Sequence, residues 1–212
     1  MNKFTKKSIP LDYFSAEDAE LLSQETCFKG FFTVNKYRVR HKLYQGGRSE
    51  VFEREIFERG DAVVLMPYDP ITDQVVLIEQ FRVGALNREQ SPWLLEFIAG
   101  MFGEDESPEQ VAIREAKEEA NINIKSEQLQ FVSKFLLSPG GATEMAHLFL
   151  AKVDVSDISG VYGLEDEHED ILVRVMPRQQ AMSLVENGKI NNAATIIGLQ
   201  WLSLNYQALC SA

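Results

Sequence analysis

The sequence predicts an α+β or layered α/β/α domain, on three observations. Apolar and polar residues alternate through an early segment of the chain, one well-capped helix stands near its centre, and two helices close it after a further set of strands. Strands, then a helix, then strands and more helices is the element order of those architectures. No repeat or low-complexity segment interrupts it.

Residues 1–20 carry little pattern. From Glu25 to about Phe57 the alternation is clear, as in Phe32-Thr33-Val34-Asn35-Lys36-Tyr37-Arg38-Val39-Arg40. Gln45-Gly46-Gly47-Arg48-Ser49 makes a turn and Val51 to Phe57 alternates again, giving an antiparallel sheet of about three strands. Ala62 to Tyr68 and Gln74 to Phe81 form a hairpin around Asp69-Pro70-Ile71-Thr72-Asp73. Trp93 to Ala99 is a short strand that feeds Gly100. Ser107 then supplies an N-cap, Pro108 fits the first helical position, and Gln110 completes a capping box, so a helix starts there and runs to Ala120. Asn121 sits just past its end, where the backbone often turns left-handed and Asn is the best residue after Gly. Strands are expected near Leu129–Leu137, Ala146–Val155 and Ile171–Met176. Pro177 stops the last of these, and helices follow at Arg178–Asn187 and Asn192–Ala208.

Composition bounds the function. The 212 residues carry a net charge of −11, which argues against non-specific nucleic-acid binding. An anionic ligand stays open, because bound cations and local arginines can invert the local field. Cys27 and Cys210 have neither metal-ligand spacing nor the look of a disulfide framework. Lys3, Lys6 and Lys7 precede no apolar stretch, so no secretory signal is expected, and no apolar run reaches membrane-spanning length. A reducing cytoplasm is the expected location.

The chemistry concentrates between Gly100 and Ile122. Gly100 is followed after five residues by Glu106, and after seven more by Arg114-Glu115-Ala116-Lys117-Glu118-Glu119-Ala120-Asn121-Ile122. Glu115 and Glu119 are four apart and stack on one helix face, with Glu118 beside them. Like charges that close repel unless a cation lies among them, and oxygen-only donors suit Mg²⁺ or Mn²⁺ rather than zinc. Arg114 can pair with Glu118 across one turn, and Glu106 is placed to orient Arg114 or its loop. An acidic helix facing solvent is the plain alternative.

Other segments keep two readings on residue type alone. Phe31 and Phe32 either pack on a base, since an aromatic face stacks on any base, or form a strand pair with one ring in the core. Arg54, Arg59 and Arg82 suit phosphate but are equally ordinary surface residues. Glu165, Asp166, Glu167, Glu169 and Asp170 form a second acidic cluster that reads first as a solvated loop. Gly140 and Gly141 after Pro139 make a tight turn, with or without an anion on its amides.

The Gly100–Ile122 run resembles the Nudix box, Gly-x5-Glu-x7-Arg-Glu-U-x-Glu-Glu-x-Gly-U, where U is a bulky apolar residue. It departs from the box at Asn121, where the family has Gly, and at Ala116, where U is usually bulkier. Gly30-Phe31-Phe32, Arg54 to Gly60, Leu137 to Gly141, Gly163 to Asp170 and Ile190 to Ala194 extend the resemblance over nearly the whole chain, towards the bacterial branch of that family that acts on ADP-ribose. The resemblance implies a Nudix fold: an α+β protein whose mixed β-sheet is sandwiched between helices, with an N-terminal antiparallel β domain over 1–57 and a catalytic domain over 58–212. It implies Mg²⁺-dependent hydrolysis of ADP-ribose to AMP and ribose 5-phosphate, with Mn²⁺ as the other candidate cation. Glu115, Glu119, Glu169 and the Ala99 carbonyl become metal ligands and Glu167 the general base, while His168 finds no support. Arg54, Glu55, Arg59, Arg82, Met101, Ser138 and Glu144 are carried over as substrate contacts. A homodimer is implied, with the N-terminal segment exchanged so that Arg54 and Glu55 reach the partner's site. Another nucleotide sugar such as GDP-mannose is the alternative substrate. A non-catalytic domain that senses ADP-ribose is a further alternative, opposed by the complete set of box carboxylates.

Overall fold

The computed structural model describes residues 11, 13–88, 91–103 and 105–210. Lys3, Lys6 and Lys7 lie outside the described residues. The chain forms two compact units. One comprises the described part of Met1–Arg59 together with Ser138–Thr143; the other comprises the described parts of Gly60–Leu137 and Glu144–Ala212.

The first unit is a three-stranded antiparallel sheet in the order β1 (Ala19–Lys29), β2 (Thr33–His41), β3 (Phe52–Glu58). The alternation that predicted it also sets its register, with Lys36 opposite Glu55 and Tyr37 opposite Arg54. Gly46 and Gly47, in the turn before β3, have φ of 90° and 78°, a region that costs a β-carbon-bearing residue free energy. Ser138–Thr143 joins this sheet edge-on. Phe57 N–H donates to Gly141 O at 2.8 Å, and the Thr143 hydroxyl donates to Glu58 at 2.6 Å. Glu58 also accepts from the Tyr37 hydroxyl at 2.5 Å, and these bonds hold its carboxyl below its ordinary pKa.

The second unit is built on a mixed sheet in the order β10-β11-β5-β4-β9-β8, where β4 is Ala62–Asp69, β5 Gln74–Phe81, β8 Leu129–Leu136, β9 Met145–Lys152, β10 Gly160–Tyr162 and β11 Ile171–Pro177. The hairpin of β4 and β5 pairs only at Tyr68–Val75 and Asp69–Gln74. Beyond that the two strands diverge. Two short strands, β6 (Trp93–Glu96) on β5 and β7 (Ile98–Met101) on β4, fill the split. The single strand expected over Trp93–Ala99 is therefore two. The chain crosses from one partner to the other at Phe97, whose ring is 1% exposed and whose N–H donates to Thr195 Oγ1 at 3.1 Å. β10 has no counterpart in the sequence reading, because three residues are too short to show a period.

Every residue of β4 is buried, as a strand covered on both faces requires. Val63 and Leu65 face α1 (Pro108–Ala120) through Val111, Ala112 and Ala116, whereas Val64 and Met66 belong to the opposite core with Ala181 of α2 (Arg178–Glu186) and Leu199 and Leu202 of α3 (Ala193–Cys210). The sheet thus lies between α1 on one side and α2 with α3 on the other. Each fully buried side chain such as Leu65, Leu77 or Leu148 contributes about 1.5–3 kcal/mol of burial free energy. Asn192 caps α3, its side chain accepting from Thr195 N–H at 3.1 Å, so that helix begins one residue later than expected.

Candidate active site

Helix α1 is positioned by its ends. Ser107 Oγ accepts from Gln110 N–H and the Gln110 side chain accepts from Ser107 N–H, closing the capping box. At the other end Asn121 is left-handed with φ 55°, and the Asn121 and Ile122 amides donate to the Lys117 and Ala116 carbonyls. The change from Gly to Asn leaves the helix terminus in place. Val111, Ala112, Ala116 and Ala120 press the helix onto the sheet, and that register sends Glu115 and Glu119 towards β7.

Glu119 is 2% exposed and its Oε2 accepts the Ala99 N–H at 3.0 Å. Burial pushes its carboxyl well above the usual range; the Ala99 amide and the charge of Arg82 oppose this, while Glu115 and Glu169 reinforce it. Glu115 packs against Gly100 so closely that a β-carbon there would lie 1.6 Å from Oε1. Burial raises its pKa too; Arg114 opposes the rise, and Glu118 and Glu169 add to it. Because the Ala99 N–H turns to Glu119 and not to β4, its carbonyl also faces away from β4, as paired groups of one residue do in an antiparallel ladder. The strand continues past Ala99 to Met101; it does not end there as expected, but the carbonyl is still free of the ladder.

Arg114 is the hub. Its guanidinium donates to Glu106 at 3.0 and 3.1 Å, to Glu115 at 2.7 Å, to Glu118 at 2.9 Å and to the Met101 carbonyl at 3.1 Å. Glu106 in turn accepts the Gly103 N–H at 2.8 Å, so it orients both Arg114 and the loop. The pairing with Glu118 matches the sequence expectation; the bond to Glu115 is additional.

The second acidic segment is tied to the same helix. Gly163 N–H donates to the Glu118 carbonyl at 3.2 Å. Gly163 has φ 115°, and a β-carbon on it would meet that of Glu169 at 2.6 Å, so only glycine lets the loop fold back there. Glu169 accepts the Leu164 N–H at 3.1 Å, and its charge acts on both Glu115 and Glu119. Glu167 ends a short 3₁₀ turn, Glu165–Glu167, and is exposed, as are Glu165 and Asp166. His168 follows in the left-handed region.

Arg82 directly follows β5 and donates from Nε to Glu96 at 2.7 Å. Met101 ends β7, and Glu144 is buried at 7% exposure. The remaining expected contacts belong to the first unit. Phe31 is 89% exposed and lies edge-on to Phe32, which meets Phe57 and the Arg59 guanidinium at 5.7 Å. Arg54 lies over the Phe52 ring, Glu55 is exposed, and the Ser138 carbonyl accepts the Gly141 and Ala142 amides. Sequence reasoning missed Glu96 and the Gly163 tether. A polar residue within a strand and a lone loop glycine carry no periodic signal.

The donor set fits a hard divalent cation in kind: the carboxylates of Glu115 and Glu119, whose ionisation burial disfavours, and that of Glu169, beside a main-chain carbonyl outside the ladder. Among the described residues no three such side chains already stand close enough to hold one. Arg114 engages Glu115 through Oε1 and Glu118 through Oε2, so it takes one oxygen of each carboxylate. No helix of the described residues is long and apolar enough to cross a membrane.

Residues 58–197 match the NUDIX domain. ADP-ribose pyrophosphatase of Escherichia coli (strain K12) is 50% identical over 196 residues, covering 92% of this chain and 93% of that protein. ADP-ribose pyrophosphatase of Haemophilus influenzae is 44% identical over 212 residues, 99% and 97% of the two chains. GDP-mannose pyrophosphatase of Yersinia pestis is 32% identical over 189 residues, 88% and 92% of the two. A crystal structure of an ADP compounds hydrolase superposes with a TM-score of 0.67 at 25% identity, over 92% of this chain and 98% of that one. The match spans well over half of the chain and contains the whole α1 site, from Arg82 to the loop at Glu169, so this chain belongs to the Nudix family.

Proposed function

We propose that this protein is a Mg²⁺-dependent diphosphatase that hydrolyses ADP-ribose to AMP and ribose 5-phosphate. The observation that carries the reading is the convergence of half-buried Glu115 and buried Glu119 on Gly100 and Ala99, with the Glu169 loop tethered to the same helix at Gly163. The 50% identity to ADP-ribose pyrophosphatases supports the substrate, against 32% for GDP-mannose pyrophosphatase.

Glu115, Glu119, Glu169 and the Ala99 carbonyl would hold the cation, Mg²⁺ or Mn²⁺. When bound it supplies neutralising charge to the phosphate oxygens and acidifies water. The protein's own groups do the rest. Glu167 accepts the proton of the attacking water, and its exposure on a short turn leaves it free to reach that water. Water adds to one phosphorus as the bridging P–O bond breaks, so each product leaves with one phosphate. Arg82 binds a phosphate edge, and Arg54, Glu55, Arg59, Met101, Ser138 and Glu144 make further substrate contacts. Phe31 and Phe32 offer an aromatic face for the adenine.

The same reading makes the enzyme a homodimer with an exchanged N-terminal segment. A sheet of three strands with so many exposed residues is marginal alone. Arg54 and Glu55 then serve the partner's site. Mixing inactive Glu119→Gln chains with inactive Arg54→Ala chains should restore partial activity, because one site of the heterodimer keeps both residues; an active monomer in light scattering would refute the dimer. The reducing cytoplasm suits the free thiols Cys27 and Cys210. The substrate is tested with a panel of nucleotide sugars in Mg²⁺, scored for AMP and sugar phosphate release. ADP-ribose should be turned over fastest; preference for GDP-mannose would replace the assignment.

A further inference from the structure

We propose that Glu96 is a positioning residue for phosphate recognition: it grips one edge of the Arg82 guanidinium and leaves the opposite edge free for an anion near the buried Glu119 carboxylate of α1. The inference rests on the reading of the chain as a nucleotide-sugar diphosphatase.

Arg82 is fixed at two points. Its backbone N–H donates to Pro92 O at 2.8 Å, closing the loop between β5 and β6, and its Nε donates to Glu96 Oε2 at 2.7 Å. The two terminal nitrogens make no hydrogen bond among the described residues. A guanidinium is a planar fork, so holding Nε fixes the plane in which the terminal N–H groups point. That free edge presents two parallel N–H groups, which a phosphate can accept in a bidentate manner.

Glu96 is itself held. Its side chain is 15% exposed, against 43% for Arg82, and Oε2 also accepts from Gln80 Nε2 at 3.4 Å. Gln80 is 5% exposed and lies opposite Leu94 across the β5–β6 ladder, so Glu96 is its diagonal neighbour on the same face. Arg82 is near enough for its charge to act on Glu119, yet the two form no ion pair. A cation held beside this carboxylate group, with its donors unspent, is placed for an anionic ligand. A surface pair between two mobile side chains would contribute little; here the acceptor is mostly buried and braced from a second strand.

The test is a double-mutant cycle on the full chain, run on whichever nucleotide sugar the wild-type protein turns over fastest. A failure of the ADP-ribose assignment then changes the substrate and leaves the cycle intact. Glu96→Ala should raise KM at least about tenfold with a smaller change in kcat. Added to Arg82→Ala, it should change kcat/KM by less than about twofold, since the partner it positions is gone. Glu96→Gln should recover part of the loss, because its amide oxygen still accepts from Nε. Losses that multiply in the double variant would overturn the proposal. So would a Glu96→Ala protein that melts at lower temperature but keeps the wild-type KM, which would assign Glu96 to strand stability.

Discussion

Helix α1 and the loop before β11 both carry dense runs of carboxylates, Glu115, Glu118 and Glu119 in one and Glu165 to Asp170 in the other, but they hold them differently. The helix fixes its carboxylates by backbone register. Its capping box and small apolar face set the rotation of α1, and Glu119 follows into the interior at 2% exposure. A buried charge that lacks a counter-ion costs several kcal/mol, and burial accordingly holds the Glu119 carboxyl well above its usual pKa. The loop is tied to the helix by the Gly163 amide on the Glu118 carbonyl and folds on itself through bonds such as the Leu164 amide on Glu169. Glu167 stays exposed. The proposed roles follow that difference: a cation ligand benefits from a rigid frame, whereas a base must reach a water.

The largest effects should fall on the residue with the loosest support. Glu167→Gln should lower kcat by about 10² to 10⁴ with little change in KM, while Glu165→Gln on the same turn should be mild. A silent Glu167→Gln beside another essential loop carboxylate would move the base, and a fully replaceable loop would reduce it to a solvated face. On the helix, Glu119→Gln and Glu115→Gln should each cost at least about 100-fold at saturating Mg²⁺. Near-normal turnover in either would remove it from the ligand set.

Gly100→Ala sharpens the helix side. The new β-carbon would occupy the space of the end of the Glu115 side chain, whose Oε1, Cδ and Cγ lie 1.6, 2.0 and 2.5 Å from it. The side chain can swing aside, so activity should fall at least about tenfold while the melting temperature changes little. The smallest effect is on stability. Glu115 and Glu119 have pKa values raised above 4.5 in the fold. The folded state therefore binds more protons than the unfolded one between 4.5 and those raised values, and metal-free stability falls as pH rises through that window. Glu119→Gln should flatten this fall in thermal melts. A stability that rises with pH over the same window would contradict the buried-carboxylate account.

Much of this was legible in the sequence, for identifiable reasons. Ser107, Pro108 and Gln110 mark the start of α1 by local capping chemistry, and Asn121 marks its end by tolerating φ 55°. Arg114 to Glu118 follows from helix geometry alone. The split of Trp93–Ala99 into two strands was not legible, because it depends on the divergence of β4 and β5, a feature of distant pairing. Glu96 was missed for the same reason: its partner Arg82 comes from across the ladder. The second acidic cluster read as a solvated loop on composition, and tertiary contacts, the Gly163 tether among them, bring it to α1.

The central claim is that helix and loop carboxylates serve one cation site. Mn²⁺ titration of the full chain by calorimetry tests it most directly, with wild type, Glu119→Gln, Glu169→Gln and Glu165→Gln compared at neutral pH. Shared ligation predicts that Glu119→Gln and Glu169→Gln each weaken binding at least about tenfold and that Glu165→Gln binds as wild type does. Wild-type affinity in Glu169→Gln would contradict the claim and leave the helix to hold its cation without the loop.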